Sequence, residues 1–151
     1  MKNRSLFMML ALLGAPGYVF ANNPDLAKSE YNFARNELSK SSFNQAAIVG
    51  QYGNNNNSHV DQNGTRQLAV VNQTGAGNRA NVDQSGSYNV AYIAQTGYGN
   101  DADIQQQSSG NAALIIQKGT ANRASIIQQG TQKSAVVVQK QSQMAVRVIQ
   151  R

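Results

Sequence analysis

Ten glutamines fall on a ruler. Gln51, Gln62, Gln73, Gln84, Gln95, Gln106, Gln117, Gln128, Gln139 and Gln150 occupy every eleventh position without a gap. The chain holds 18 Gln in 151 residues, so random scatter would fill about one of those ten slots. A fixed period of this kind means a repeat architecture, and it constrains the fold before any local propensity does.

Neighbouring positions obey the same ruler. Two residues before each Gln stand Val49, Val60, Val71, Val82, Ile93, Ile104, Ile115, Ile126, Val137 and Val148, all β-branched. Four before stand Ala47, Ser58, Ala69, Ala80, Ala91, Ala102, Ala113, Ala124, Ala135 and Val146. Six before stand Gln45, Asn56, Gln67, Asn78, Asn89, Asn100, Asn111, Asn122, Lys133 and Met144. Two after come Gly53, Gly64, Gly75, Gly86, Gly97, Ser108, Gly119, Gly130 and Gln141. Amide, small, β-branched, amide at every second residue is strand periodicity, because alternate side chains of a strand share one face. Seven strand residues and a four-residue turn carrying glycine complete the unit.

Successive units differ on their other face, so the structural repeat is a pair of units, two strands and two turns. Five copies fit between 44 and 151. One such copy cannot bury its own inner face; stacking must do so. Rungs stacked about 4.8 Å apart would pair every interior backbone group and superimpose like side chains. The expected fold is all-β, a cross-β solenoid of five stacked 22-residue strand-turn-strand rungs. In it, the Gln columns and the column of Asn56, Asn78, Asn89, Asn100, Asn111 and Asn122 form amide ladders, and the β-branched column forms apolar ladders. A buried amide that hydrogen-bonds to its own kind avoids the penalty of a buried polar group left alone.

The chain before the ruler divides in two. Residues 1–21 read as a secretory signal peptide: Lys2 and Arg4, then the apolar run Leu6 to Leu13, then Val19-Phe20-Ala21. That run is too short for a membrane span. Residues 22–43 form a non-repeat leader, flexible or weakly helical, with Ala27, Tyr31, Ala34 and Leu38 at helical spacing behind Asn23-Pro24. The sequence has no cysteine, so disulfides do not hold the domain together.

The outward positions are uneven. On the first strand of each rung they are apolar (Ile48, Val70, Tyr92, Leu114, Val136, with Leu68 and Val90), and such a stripe marks a contact surface for the leader or for another molecule. On the second strand they are mostly polar. Charge is polarised along the stack as well: all seven acidic residues lie at or before Asp103, while Lys118, Arg123, Lys133, Lys140, Arg147 and Arg151 follow with no acid among them. The last rung also departs most from the ruler, at Lys133, Gln141, Met144 and Val146. Two readings stand: a capping repeat drifting from the pattern, or a surface-attachment site in which Lys133, Lys140, Arg147 and Arg151 meet an acidic cell surface.

Catalytic chemistry is not to be expected. His59 is the sole histidine and projects outward, no nucleophile motif accompanies it, and Asp61 and Asp83 stack without a basic partner. No phosphate-cradling loop, metal-ligand spacing or base-stacking module is present, so no cofactor, no metal and no nucleic-acid partner is expected. A monomeric secreted solenoid binding polysaccharide or ice through a flat face is an alternative, but it wants regular outward threonines or aromatics.

With these residues in hand, the chain resembles the curlins, the extracellular amyloid subunits of enteric bacteria. The resemblance rests on the Asn-x-Ala-x-Ile-x-Gln repeats, the leader around Ser29-Glu30-Tyr31-Asn32-Phe33-Ala34 and the end Gln141-Ser142-Gln143-Met144-Ala145-Val146-Arg147. Within the family, the β-branched column and the basic last rung favour the nucleating kind. The resemblance implies export to the outer surface of a Gram-negative cell through an outer-membrane curli secretion channel, retention in the fimbrium by an accessory surface factor, self-association, and templating of the major curlin subunit into fibres that serve adhesion and biofilm.

Overall fold

In the computed structural model, residues 44–151 are described; the signal peptide and leader expected at 1–21 and 22–43 lie outside them. Ten strands follow in order: β1 (Gln45–Asn54), β2 (Asn57–Thr65), β3 (Gln67–Ala76), β4 (Arg79–Ser87), β5 (Val90–Tyr98), β6 (Asp101–Ser109), β7 (Ala112–Thr120), β8 (Arg123–Gln129), β9 (Ser134–Gln139) and β10 (Ala145–Gln150). Odd-numbered strands make one five-stranded sheet and even-numbered strands the other, each in chain order. Every pairing is parallel and sets each residue beside its equivalent one rung on: Gln51 lies beside Gln73, Val60 beside Val82, Gly75 beside Gly97. Five rungs stack into a two-sheet β-solenoid.

The core lies between the sheets. Ala69, Val71, Ala80, Val82, Ala91, Ile93, Ala102, Ile104, Ala113, Ile115, Ala124, Ile126, Ala135 and Val137 form a single buried cluster, with Val49, Val60 and Val148 partly buried at its two ends. The alternation of small and β-branched inward residues sets this geometry. Alanine lets the facing sheets approach near each corner, and the branched residue fills the middle.

Corners differ from the expected four-residue turn. Strands in the first three rungs run nine or ten residues, and the connections are only one or two residues long. The column glycine sits inside the strand as an arc, with φ between 100° and 139° at Gly53, Gly64, Gly75, Gly86, Gly97, Gly119 and Gly130. A second left-handed position follows two residues later and holds Asn55, Arg66, Gly77, Tyr88, Gly99, Gly110, Ala121, Gln132 and Gln143, with φ of 53–70°. Stacking explains the long strands, because the corner backbone also pairs with the neighbouring rung, as in Gly77 N–H to Asn54 O at 3.0 Å and Gly99 N–H to Ala76 O at 3.0 Å.

A chemical reason for the first glycine is visible at the arc. A Cβ on Gly53, Gly64, Gly75 or Gly97 would lie 1.8–2.0 Å from the carbonyl oxygen of the glycine one rung on. Ser108 breaks that column at φ 90°. Its Cβ occupies the space into which the next rung's carbonyl would pack, and pairing of β6 with β8 accordingly stops at Gln107 beside Gln129, whereas β4 and β6 pair as far as Ser87 beside Ser109. At the other corner Gln141 replaces glycine, and β7 and β9 pair only as far as Gln117 beside Gln139. The last rung is therefore the shortest, six residues per strand.

The outer apolar stripe is graded along the stack. Leu68, Val70 and Tyr92 are buried and group with Ala46, Ile48, Val90, Ala94 and Leu114, while Val136 in the same column is 64% exposed.

Candidate functional site: the amide columns and the two open ends

Each interior glutamine of the columns is wholly buried, and its terminal amide uses both N–H groups and the carbonyl. In the odd sheet, Nε2 of Gln51 donates to Oε1 of Gln73 at 2.7 Å, Gln73 to Gln95 at 2.8 Å, Gln95 to Gln117 at 2.9 Å and Gln117 to Gln139 at 2.8 Å. In the even sheet, Gln62 donates to Gln84, Gln84 to Gln106, Gln106 to Gln128 and Gln128 to Gln150, at 2.7–2.9 Å. The second N–H crosses the interior to a backbone carbonyl of the facing sheet: Gln73 to Asn57 O at 3.0 Å, Gln84 to Leu68 O at 3.2 Å, Gln95 to Arg79 O at 2.8 Å. That crossing bond fixes which way the amide faces, since a flipped amide would set oxygen against oxygen. Both columns consequently point the same way, N–H toward higher residue numbers.

The asparagine positions work differently from a simple side-chain ladder. Asn78 Nδ2 donates back to Thr74 O and onward to Gly97 O at 3.1 Å, which closes the arc, and Asn100 and Asn89 repeat this with Gly119 O and Ser108 O. The Oδ1 atoms of Asn56, Asn78, Asn89, Asn100, Asn111 and Asn122 then accept the backbone N–H one rung on, at 3.0–3.1 Å. Within these columns, side chain to side chain bonds join Asn56, Asn78 and Asn100. The asparagine columns are corner braces.

Two positions in these columns are imperfect, and residue type alone did not flag them. Gln67 stands where Asn would. Its Nε2 reaches Asn63 O and Gly86 O, but its extra methylene misplaces the carbonyl, and Oε1 is buried with no partner among the described residues. Ser58 stands in the alanine column, and its Oγ is likewise buried without a partner there. The signal that could have found both is side-chain length and polarity against the column consensus.

The β-branched column, Val49 through Val148, runs unbroken through the middle of the core. The four basic residues considered for attachment all sit on the last rung but not in one patch. Lys133 and Arg151 share the corner at Gly130, Lys140 follows β9 at the opposite corner, and Arg147 projects from the even sheet. All but Lys133 are exposed. Outward polar contacts elsewhere are sparse: Asn81 donates to Asp103 at 2.8 Å, and Arg123 lies 3.4 Å from Asp101 in a solvated pair that contributes little to stability. Among the described residues no group of His, Cys, Asp or Glu is placed to hold a metal.

Among the described residues, both ends of the stack are open. β1 and β2 leave one edge of each sheet unpaired at the first rung, and β9 and β10 do the same at the last. Such edges are templates for another strand.

Comparison with known proteins identifies the repeat. The family model described as "Curlin associated repeat" matches residues 59–86, 77–107 and 97–130. The chain is 67% identical over 66 residues to the "Minor curlin subunit" of Salmonella typhimurium and 65% identical over the same length to that of Escherichia coli (strain K12). Each alignment covers 44% of this chain and 44% of the relative, so the chain spans less than half the length of the curated relatives it matches. With the rung register, the Gln columns and these relatives together, the chain belongs to the curlin family and resembles the minor subunits of that family.

Proposed function

We propose that this chain is a minor structural subunit of curli, which nucleates polymerisation of the major curlin subunit at the cell surface and so supports adhesion and biofilm formation. The observation that carries the reading is the open first rung. Among the described residues, β1 and β2 present two unpaired edges whose columns continue in register through four further rungs. A soluble curlin that lays one rung on that edge gains backbone pairing and amide bonds at once, whereas two disordered chains must first order a rung together. Nucleation is slow because that ordering comes before any reward, and a preformed stack removes the step. The chain acts as a template, not as an enzyme. Export through the curli secretion channel and retention by an accessory surface factor belong to the same proposal.

The opposite end supports the second half. Lys133, Lys140, Arg147 and Arg151 surround the last rung with positive charge and no acid beside it, which suits an acidic outer surface and resists a like-charged rung. The basic rung holds the cell; the first rung faces outward and templates growth.

Two experiments test the two halves. Mature chain at a small molar fraction, added to soluble major curlin, shortens the lag in thioflavin fluorescence and yields fibres with reflections near about 4.8 and 10 Å; an unchanged lag removes the nucleating reading. Replacing Lys133, Lys140, Arg147 and Arg151 by Gln releases protein from cells while leaving seeding in solution intact, and undiminished retention removes the anchoring half.

A further inference from the structure

The odd-numbered sheet hides side chains on its outer face. Leu68, Val70 and Tyr92 point away from the core that holds Val71 and Ile93, yet they are 0–3% exposed. Among the described residues every strand belongs to one of the two sheets, so no third layer lies over them. Flanking rungs do not achieve such burial by themselves. Leu114 and Ile116, outward on the same sheet with a rung on either side, are only half-buried. Each outward residue of β4, β6 and β8 likewise keeps part of its surface. The burial is graded as well: Ile48, on one edge rung, is half-buried, whereas Val136, in the same column on the opposite edge rung, is 64% exposed.

We propose that the leader, residues 22–43, lies across the outer face of the odd-numbered sheet over its first three rungs and seals the apolar stripe there. The proposal goes beyond the nucleating reading and does not depend on which end templates growth.

Position favours this segment. It runs directly into β1, the edge strand of that sheet, and burial fades with distance from that junction. Size agrees: a segment about 10 Å across, the width of a helix, laid along the strands covers between two and three rungs at about 4.8 Å each. Chemistry agrees too. The outward positions of β1, β3 and β5 carry no charged residue, so the occupant must bring apolar side chains rather than charge. Ala27, Tyr31, Ala34 and Leu38 fall on one side of a helical spacing, while Asp25, Lys28, Glu37 and Lys40 fall on the others. A cover on this face leaves the backbone edges of both sheets free and withdraws the stripe from side-by-side association.

Single thiols report the cover, because the chain has no cysteine of its own. Val70→Cys probes the sealed face, Val136→Cys the bare end of the same column and Val71→Cys the core. Each is made in the mature chain with and without Tyr31→Ser and Leu38→Ser, assembled, and labelled with N-ethylmaleimide. With the native leader, positions 70 and 71 label about 100-fold or more slower than position 136, as expected for thiols released only by local opening. With the substituted leader, position 70 comes within about tenfold of position 136 while position 71 stays slow. Leu68→Cys gives a second reading of the sealed face should Val70→Cys disturb the sheet. Fast labelling at both 68 and 70 with the native leader overturns the proposal. So does protection that survives the leader substitutions, or position 136 as slow as position 70, since either places a second copy on the stripe. Loss of protection at 71 together with 70 also overturns it, by showing that the leader holds the whole stack rather than this face.

Discussion

At the scale of single residues, stability here is decided by whether each buried amide finds all its partners. Gln67 does not. With Asn at that position, Oδ1 falls where Asn89 Oδ1 sits one rung on, within reach of the next backbone N–H. Gln67→Asn therefore gains about 1 kcal/mol, the typical net worth of one buried hydrogen bond, read as a higher denaturant midpoint of the assembled domain. Ser58→Ala removes a buried hydroxyl without a partner there and raises the midpoint by a similar or smaller amount. The reverse holds inside a good column. Gln95→Leu strands the donor of Gln73, the acceptor of Gln117 and the carbonyl of Arg79, and costs about 3–5 kcal/mol by leaving several buried groups unpaired; a midpoint loss no larger than that of Ile93→Val would contradict the bonding scheme.

At the scale of the strand and its corner, the two left-handed positions obey different rules. Gly97 has a carbonyl 2.0 Å from where a Cβ would be, so Gly97→Ala must push two rungs apart and destabilises by about 2–4 kcal/mol. Gly99, also left-handed, has nothing within 4 Å of its would-be Cβ, and Ala121 already occupies the same column. Gly99→Ala thus costs only about 1 kcal/mol, the strain of the left-handed backbone. Equal losses for the two variants in thermal melts would refute the distinction. Ser108→Gly relieves the break in the first column, lets β8 pair beyond Gln129 and slows hydrogen exchange at Gly130. Strands and register were legible in the sequence because alternation within a fixed period leaves one inward face. The second corner position was not, because Arg66, Tyr88, Ala121 and Gln132 tolerate it and erase any glycine signal. The Gln columns were legible by residue type, but their direction was not: it depends on backbone carbonyls of the preceding strand, which only the stacked geometry brings across the core.

At the scale of the whole molecule, the stack is directional in a second way that bears on growth. Each rung receives backbone N–H groups on the asparagine Oδ1 atoms below it, and the last rung uses this twice, through Lys133 N–H to Asn111 and Met144 N–H to Asn122. It offers no amide oxygen in return, because Lys133 and Met144 stand where the asparagines would. A rung laid on the C-terminal end forms the two Gln bonds but forfeits two corner braces, so a junction between copies is weaker than any contact inside a copy. On the proposed templating reading, that asymmetry favours a partner whose final rung keeps its asparagines over a second copy of this chain. Lys133→Asn with Met144→Asn restores both acceptors. Two further hydrogen bonds at about 1 kcal/mol each correspond to a factor of roughly 30 in an equilibrium constant. The soluble concentration left after assembly of this variant falls about tenfold or more, and seeding of major curlin is unchanged because the first rung is untouched. A soluble concentration that stays level or rises would mean that the corner braces do not govern the junction, and that backbone pairing with the Gln columns alone sets its strength.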